Sequence, residues 1–150
     1  VCPVADLRRR GIPVGLGTDG ASSNNRQSVL RDAQLAALLQ KVTRLDPTLV
    51  SAQDALKMAT IEGARALHWA DDIGSIAVGK AADLVCFDAT APWWVPNHDP
   101  AATLIYAAHS DDVRRVYASG KWIYANRTWP QLNTERILQE VRRRAEKILK

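Results

Sequence analysis

Apolar positions recur at helical spacing through the first half of the chain. Between Val29 and Leu45 they fall at Val29, Leu30, Ala33, Ala36, Ala37 and Leu38, which predicts an amphipathic helix ended by Asp46-Pro47. Ser51 and Asp54 have capping-box spacing, so a second helix is predicted from there, with an apolar face of Ala55, Leu56, Ala59, Ala64 and Leu67. Gly63 inside that helix costs about 1 kcal/mol relative to alanine, which points to close packing against a neighbour. Upstream, Val4 to Arg10 reads as the end of a helix stopped by Gly11. Ile12 to Gly20 reads as a short buried strand running into a glycine-rich turn, so the order helix, strand, helix predicts a parallel α/β unit.

After Trp69 the pattern shortens. Gly74, Gly79 and Gly120 punctuate β-prone runs at Asp83 to Asp88, Thr103 to Ala107 and Val113 to Ala118. Ser119-Gly120 between Val113–Ala118 and Lys121–Tyr124 is a two-residue hairpin signal. Ala89 to Pro100, with three prolines and adjacent tryptophans, reads as a loop over apolar surface. A last helix is predicted from Asn133 to Lys150, with a stripe of Ile137, Leu138, Val141, Ala145, Ile148 and Leu149 and arginines opposite. The chain thus divides near residue 72 into an α/β part, 1–72, and a small antiparallel β unit closed by a helix, 73–150.

Composition narrows the class. With 47% hydrophobic and 24% charged residues the chain is of the folded, globular kind. It has no run of eighteen apolar residues for a membrane span, and its N-terminus lacks the layout of a signal peptide. Cys2 and Cys86 are isolated, which argues against a disulfide framework or a structural zinc site and for a reducing cytoplasm. The chain starts at Val1 and has Met58 as its single methionine, so it is expected to be taken from a longer protein. The net charge of +4 rests largely on Arg142, Arg143, Arg144, Lys147 and Lys150. That cluster reads as the solvated face of the last helix in preference to a nucleic-acid or membrane contact.

The segment with most chemical content is Gly15-Leu16-Gly17-Thr18-Asp19-Gly20-Ala21-Ser22-Ser23-Asn24-Asn25. On the residues alone, Asp19-Gly20 reads equally well in two ways. It is an everyday turn with the aspartate capping its own backbone, or a carboxylate at the C-terminal end of a strand, where α/β barrels place catalytic groups.

This segment resembles the last-strand motif of the amidohydrolase superfamily, in the branch of triazine chlorohydrolases and the methylthioadenosine/S-adenosylhomocysteine and guanine deaminases. Ala59-Thr60-Ile61-Glu62-Gly63-Ala64-Arg65-Ala66-Leu67 is similar to that family's following helix. Gly74-Ser75-Ile76-Ala77-Val78-Gly79-Lys80-Ala81-Ala82-Asp83-Leu84-Val85 is similar to its return into a β domain. The three blocks stand in the family's order across nearly the whole chain. The resemblance implies the closing strand and helices of a (β/α)8 barrel, then part of a small β-sandwich domain and a C-terminal helix. It implies one divalent metal ion, Zn²⁺ or Fe²⁺, with Asp19 beside it, contacting the metal-bound water and moving protons during attack on a heterocyclic ring. The implied reaction is hydrolysis of a C–N bond of a heterocycle, read as deamination with dechlorination not distinguished from it, in a homo-oligomeric parent. Ser23 and Asn24 would lie at the mouth of the site, against substrate.

The sequence departs from a complete member of that family. The resemblance calls for an H-x-H pair, two further histidines and a glutamate, all upstream of the aspartate. Here His68, His98 and His109 all follow Asp19. A catalytic zinc needs about three protein ligands and a (β/α)8 barrel about 250 residues, so this chain alone is expected to be inactive without the N-terminal part of the same protein. His68 reads as a helix-end residue, His98 as an organiser of its loop, and His109 as a turn residue without function. Trp93, Trp94, Trp122 and Trp129 read as a seal over the β unit or a dimer surface. The alternatives are a non-enzymatic remnant or interaction module and, after that, nucleic-acid binding through the arginine-rich helix.

Overall fold

A computed structural model of the chain describes residues 1–148; the expected helix positions Leu149 and Lys150 lie outside the described residues. Helix α1 (Val4–Arg9) ends on Gly11, whose φ of +76° closes the turn. The Gly11 N–H donates to the Arg8 carbonyl and the Ile12 N–H to that of Leu7, the paired bonds of a Schellman stop. Helix α2 (Val29–Arg44) starts on a Ser28 cap and ends at Leu45, which occupies the left-handed region at φ +51°.

The segment from Ile12 to Gly20 departs from the predicted strand. Burial still alternates, with Val14, Leu16 and Thr18 half-buried and their neighbours exposed, yet no β-ladder forms. A strand needs hydrogen-bonding neighbours, and among the described residues none flanks this one. Beyond the Ile12 bond to Leu7, it is tied to the following helices by the Leu16 N–H, which donates to the Met58 carbonyl at 3.3 Å.

The second predicted helix is two. Helix α3 (Ala52–Met58) carries the full Ser51–Asp54 capping box, and helix α4 (Ile61–Ala66) follows after a break at Thr60 (φ −134°, ψ −102°). The Thr60 hydroxyl donates to the Leu56 carbonyl at 2.7 Å, the local bond by which a β-branched hydroxyl residue competes with helical geometry. The reset lets Gly63 meet the strand-like segment. A Cβ on Gly15 would lie 3.0 Å from the Gly63 Cα, so the two backbones touch through paired glycines.

Residues 103–107, read as β-prone, are helical in α5 (Pro100–Tyr106). The Asp99 carboxylate accepts the N–H groups of Ala101 and Ala102 at 2.9 and 3.1 Å, and Pro100 fits the first helical position. Tertiary packing then decides, because Ala101 and Ile105 enter the core built by α1, α2 and α3. That core is rich in small side chains: Ala33, Ala37 and Ala55 are fully buried around Met58. Buried Gln40 is satisfied, accepting from the Ala5 N–H and donating to the Cys2 carbonyl. Arg8 ties three helices together, its guanidinium donating to both Glu62 oxygens and to Asp54 Oδ1.

Strands β1 (Leu84–Phe87), β2 (Val113–Ala118) and β3 (Lys121–Ala125) form one antiparallel sheet in that order. Ser119 and Gly120 both have positive φ, +52° and +77°, as a two-residue hairpin of the expected kind requires. Leu84, Tyr117 and Trp122 share one face of the sheet, and Val85, Val116 and Tyr124 share the other. Each face carries apolar side chains, with Arg115 lying over the Trp122 ring, and each is partly uncovered: Trp122 is 44% exposed and Val85 51%. Helix α6 (Thr134–Ile148) matches the predicted stripe, yet none of its residues is buried.

Candidate functional site

Asp19 stands where the strand-like segment turns, in the left-handed region at φ +58°, a conformation aspartate tolerates better than most residues. That backbone folds the carboxylate onto its own turn. Oδ1 accepts the Gly20 N–H at 2.8 Å, and Oδ2 accepts the Ser23 hydroxyl at 2.9 Å. The Gly20 N–H and then the Ser23 hydroxyl hold the carboxyl below the ordinary carboxylate range, against a small opposing desolvation. An ionised carboxylate has about four lone-pair sites; two are used here, and the group is exposed.

The residues around it form one turn. The Ser23 and Asn24 N–H groups both donate to the Gly20 carbonyl, at 3.0 and 2.9 Å. Asn24 Oδ1 accepts the Arg26 and Gln27 N–H groups, each at 3.3 Å. Asn24 Nδ2 donates to both oxygens of Asp32, at 3.2 and 3.1 Å. Thus Asp19, Ser23 and Asn24, singled out in the sequence, do lie together. Asp32 joins them unannounced; in the sequence its only signal is an acidic residue in the first turn of α2, where the helix dipole favours it.

The histidines lie elsewhere. His68, exposed at φ +59°, sits at the end of α4, where the His68 N–H donates to the Arg65 carbonyl and the Trp69 N–H to that of Ala64. That is a second Schellman stop, with histidine in the place glycine usually takes. His98 is exposed, and its neighbours organise the loop: Asn97 Oδ1 accepts the Thr103 hydroxyl and Asp99 caps α5. His109 packs edge-on against Trp93, with ring centroids 5.2 Å apart. Among the described residues no three His, Cys, Asp or Glu side chains gather where they could share a metal ion.

A buried carboxylate that the sequence reading passed over organises the β unit. Asp112 Oδ2 accepts three donors, the indole N–H groups of Trp93 (2.9 Å) and Trp94 (3.0 Å) and the His109 N–H (2.8 Å). Burial works against its charge, but those three donors outweigh it and keep the carboxyl below its ordinary range. The signal was available, since two adjacent tryptophans set over apolar surface need acceptors for their N–H groups. Trp122 and Trp129 pack within the chain as well, on Tyr117 and Tyr124, each pair 5.0 Å between centroids.

Comparison with known proteins bears on what this turn belongs to. A model of the amidohydrolase family matches residues 1–123. The 5-methylthioadenosine/S-adenosylhomocysteine deaminase of Thermoanaerobacter pseudethanolicus is 41% identical over 98% of this chain and 34% of its own length. The enzyme of the same name from Moorella thermoacetica is 42% identical with the same coverage. Among solved structures, a zinc-bound adenosine deaminase from Xanthomonas campestris superposes with a TM-score of 0.94 at 38% identity, over 98% of this chain and 34% of that one. The zinc complex of atrazine chlorohydrolase TrzN from Arthrobacter aurescens TC1 gives 0.83 at 33% identity, over 93% and 31%. The chain therefore spans about a third of the length of the relatives it matches.

Proposed function

Because this chain belongs to the amidohydrolase family, we propose that it supplies the Asp19 turn to a metal-dependent hydrolase that removes an amino group from a heterocyclic ring. The observation that carries the reading is the carboxylate itself, ionised, exposed and held by its own turn, in a chain 41% identical to a named deaminase. Identity is lower to the chlorohydrolase, at 33%, which favours deamination over dechlorination.

The donor chemistry fits a divalent cation, Zn²⁺ or Fe²⁺, at one position only. Asp19 offers free carboxylate lone pairs, but a catalytic site needs about three protein ligands, and the others would come from beyond the described residues. Such a cation, when bound, supplies the Lewis acidity that makes water nucleophilic at neutral pH. Asp19 would hold the cation with one oxygen and exchange a proton through the other; the Gly20 N–H and Ser23 hydroxyl favour its ionised, ligating form. Ser23 and Asn24 would border the mouth of the site, Ser23 exposed and Asn24 with its amide engaged within the turn and on α2. Under this reading the segment 12–20 is the closing strand of a (β/α)8 barrel, residues 73–150 contribute to a composite β domain, and the parent is a homo-oligomer of a reducing compartment. Among the described residues no helix is long and apolar enough to cross a membrane.

The test is a chimera in which this chain replaces the matching third of the Thermoanaerobacter deaminase. Ammonia release from an adenine nucleoside is expected, and Asp19→Asn should lower it at least about a thousandfold, the scale of removing an essential acid–base group. An inactive but folded, zinc-loaded chimera, or one indifferent to Asp19→Asn, would sink the reading.

A further inference from the structure

We propose that Asn24 and Asp32 are positioning residues that fix the Asp19 carboxylate through the turn; this rests on the reading of Asp19 as a metal-site residue. The connection can be followed bond by bond. Helix α2 is anchored in the core by fully buried Ala33 and Ala37. Asp32 precedes them in its first turn, and both its oxygens accept from Asn24 Nδ2. The other end of the Asn24 amide accepts from the Arg26 and Gln27 N–H groups, and the Asn24 N–H itself donates to Gly20. Ser23, one residue earlier, shares that Gly20 carbonyl and places its hydroxyl on Asp19 Oδ2.

Asn24 is half-buried while the residues on both sides of it are exposed. Every polar group of its side chain has a partner within the turn or on α2, so it acts on Asp19 through the backbone of that turn. Without the Asn24–Asp32 pair, the remaining ties of residues 20–27 named here all lie within the turn itself, and none of them reaches α2. A catalytic carboxylate displaced by about 1 Å loses roughly a hundredfold in rate, so a brace of this kind has a kinetic consequence.

The test uses the chimera, segmentally labelled with ¹³C and ¹⁵N across these 150 residues, so that the apolar faces are covered. Three-bond couplings from the backbone N and carbonyl carbon to Cγ of Asp19 report whether its carboxylate keeps one rotamer. Asn24→Ala and, separately, Asp32→Ala are expected to average those couplings, while the Ala33 and Ala37 amides keep their exchange rates. The exchanged pair, Asn24→Asp with Asp32→Asn, should restore a single rotamer, because a carboxylate at 24 can accept the Arg26 and Gln27 N–H groups and an amide at 32 can donate to it. In the chimera the single variants should lower kcat about 10- to 100-fold with KM within about twofold, and the exchanged pair should recover it. Couplings unchanged in the single variants, an exchanged pair no better than they are, or disruption that spreads through α2 each overturns the proposal. A raised KM with unchanged kcat and no recovery would make Asn24 a substrate contact instead. If the chimera is inactive while the couplings behave as expected, the deaminase reading fails and the brace stands.

Discussion

Replacing the two touching glycines one at a time measures how tightly the strand-like segment is seated on α4. A Cβ at Gly15 would come within 3.0 Å of the Gly63 Cα, and backbone must move to admit it. Overpacking of this kind costs about 1–3 kcal/mol, and Gly15→Ala brings no helical gain to offset it. A Cβ at Gly63 would lie 3.2 Å from the Met58 carbonyl oxygen and 3.7 Å from the Gly15 Cα. Gly63→Ala gains about 1 kcal/mol of helix propensity, so its net cost should be near 0–2 kcal/mol and about 1 kcal/mol below that of Gly15→Ala. The Met58 oxygen that must yield is also the acceptor of the Leu16 N–H, so that amide should exchange faster in both variants. Urea unfolding followed by circular dichroism gives the ordering, provided the slope is unchanged. If Gly63→Ala stabilises by the full 1 kcal/mol, or Gly15→Ala lies within about 0.5 kcal/mol of the parent, the close contact does not exist. The seat matters for chemistry because Gly15 lies four residues before Asp19.

Gly74→Ala should be worse than either, costing more than about 2 kcal/mol in the same assay, since Gly74 has φ +86° and its Cβ would meet the Ala64 Cβ at 2.7 Å. Leu45→Gly should stabilise the chain by about 1 kcal/mol, seen as a higher urea midpoint, because Leu45 holds a left-handed conformation while 91% exposed, with no burial to lose. Asp112→Ala should destabilise the β unit by about 3 kcal/mol, read from tryptophan fluorescence, as it strands the Trp93, Trp94 and His109 donors. Asp112 has a folded-state pKa below its unfolded value, and Asp88 is held at about 2 by the Thr90 hydroxyl, then Arg114. Lowered carboxylates stabilise fully above the unfolded value near 4 and lose that contribution as pH falls towards 2. Acid titration of the fluorescence should therefore show loss between those limits, and a loss beginning near pH 6 would contradict the assignment.

What the sequence revealed was set by how local each feature is. The helix stop at Gly11, the end of α2 just before Asp46-Pro47, the Ser51–Asp54 box and the Ser119-Gly120 hairpin are decided within a few residues, and each was legible. Residues 103–107 misled because β-branched Thr103 and the neighbouring apolar positions suit a strand; the Asp99-Pro100 cap and the burial of Ile105 override that preference. The single helix foreseen from Ser51 to Leu67 breaks because Thr60 bonds back to Leu56, where apolar spacing shows nothing unusual. At the site, the turn at Asp19 was legible through its glycines and its chemical reading came from resemblance alone, whereas Asp32 and Asp112 act through partners 8 and 18–19 residues away. Their roles depend on tertiary closure, which spacing does not encode.

The surface left uncovered says what kind of contact would complete this chain. It exposes 10,839 Å², whereas a folded monomer of 16.5 kDa exposes roughly 7,500 Å². The surplus of about 3,300 Å² exceeds the ~800 Å² per partner of a standard protein interface several times over. It is also spread over different elements: Leu35, Leu38, Leu39 and Val42 on the outer side of α2, the α6 stripe at Leu138, Val141 and Ile148, and both sheet faces at Val85 and Trp122. One flat partner cannot reach all of these, so the covering body must wrap the chain, as the remainder of a larger fold would. Under the proposed reading of Asp19, the same enclosure would take its carboxylate out of water and strengthen its attraction for a cation. Prepared alone, the 150-residue chain should therefore self-associate, with sedimentation showing mass that grows with concentration. Its unfolding midpoint should rise with protein concentration, so the substitutions above are compared at one fixed concentration. A strict monomer with a single sharp transition, and a urea slope appropriate to its full length, would show that these faces need no cover and would remove the physical case for a wrapped assembly.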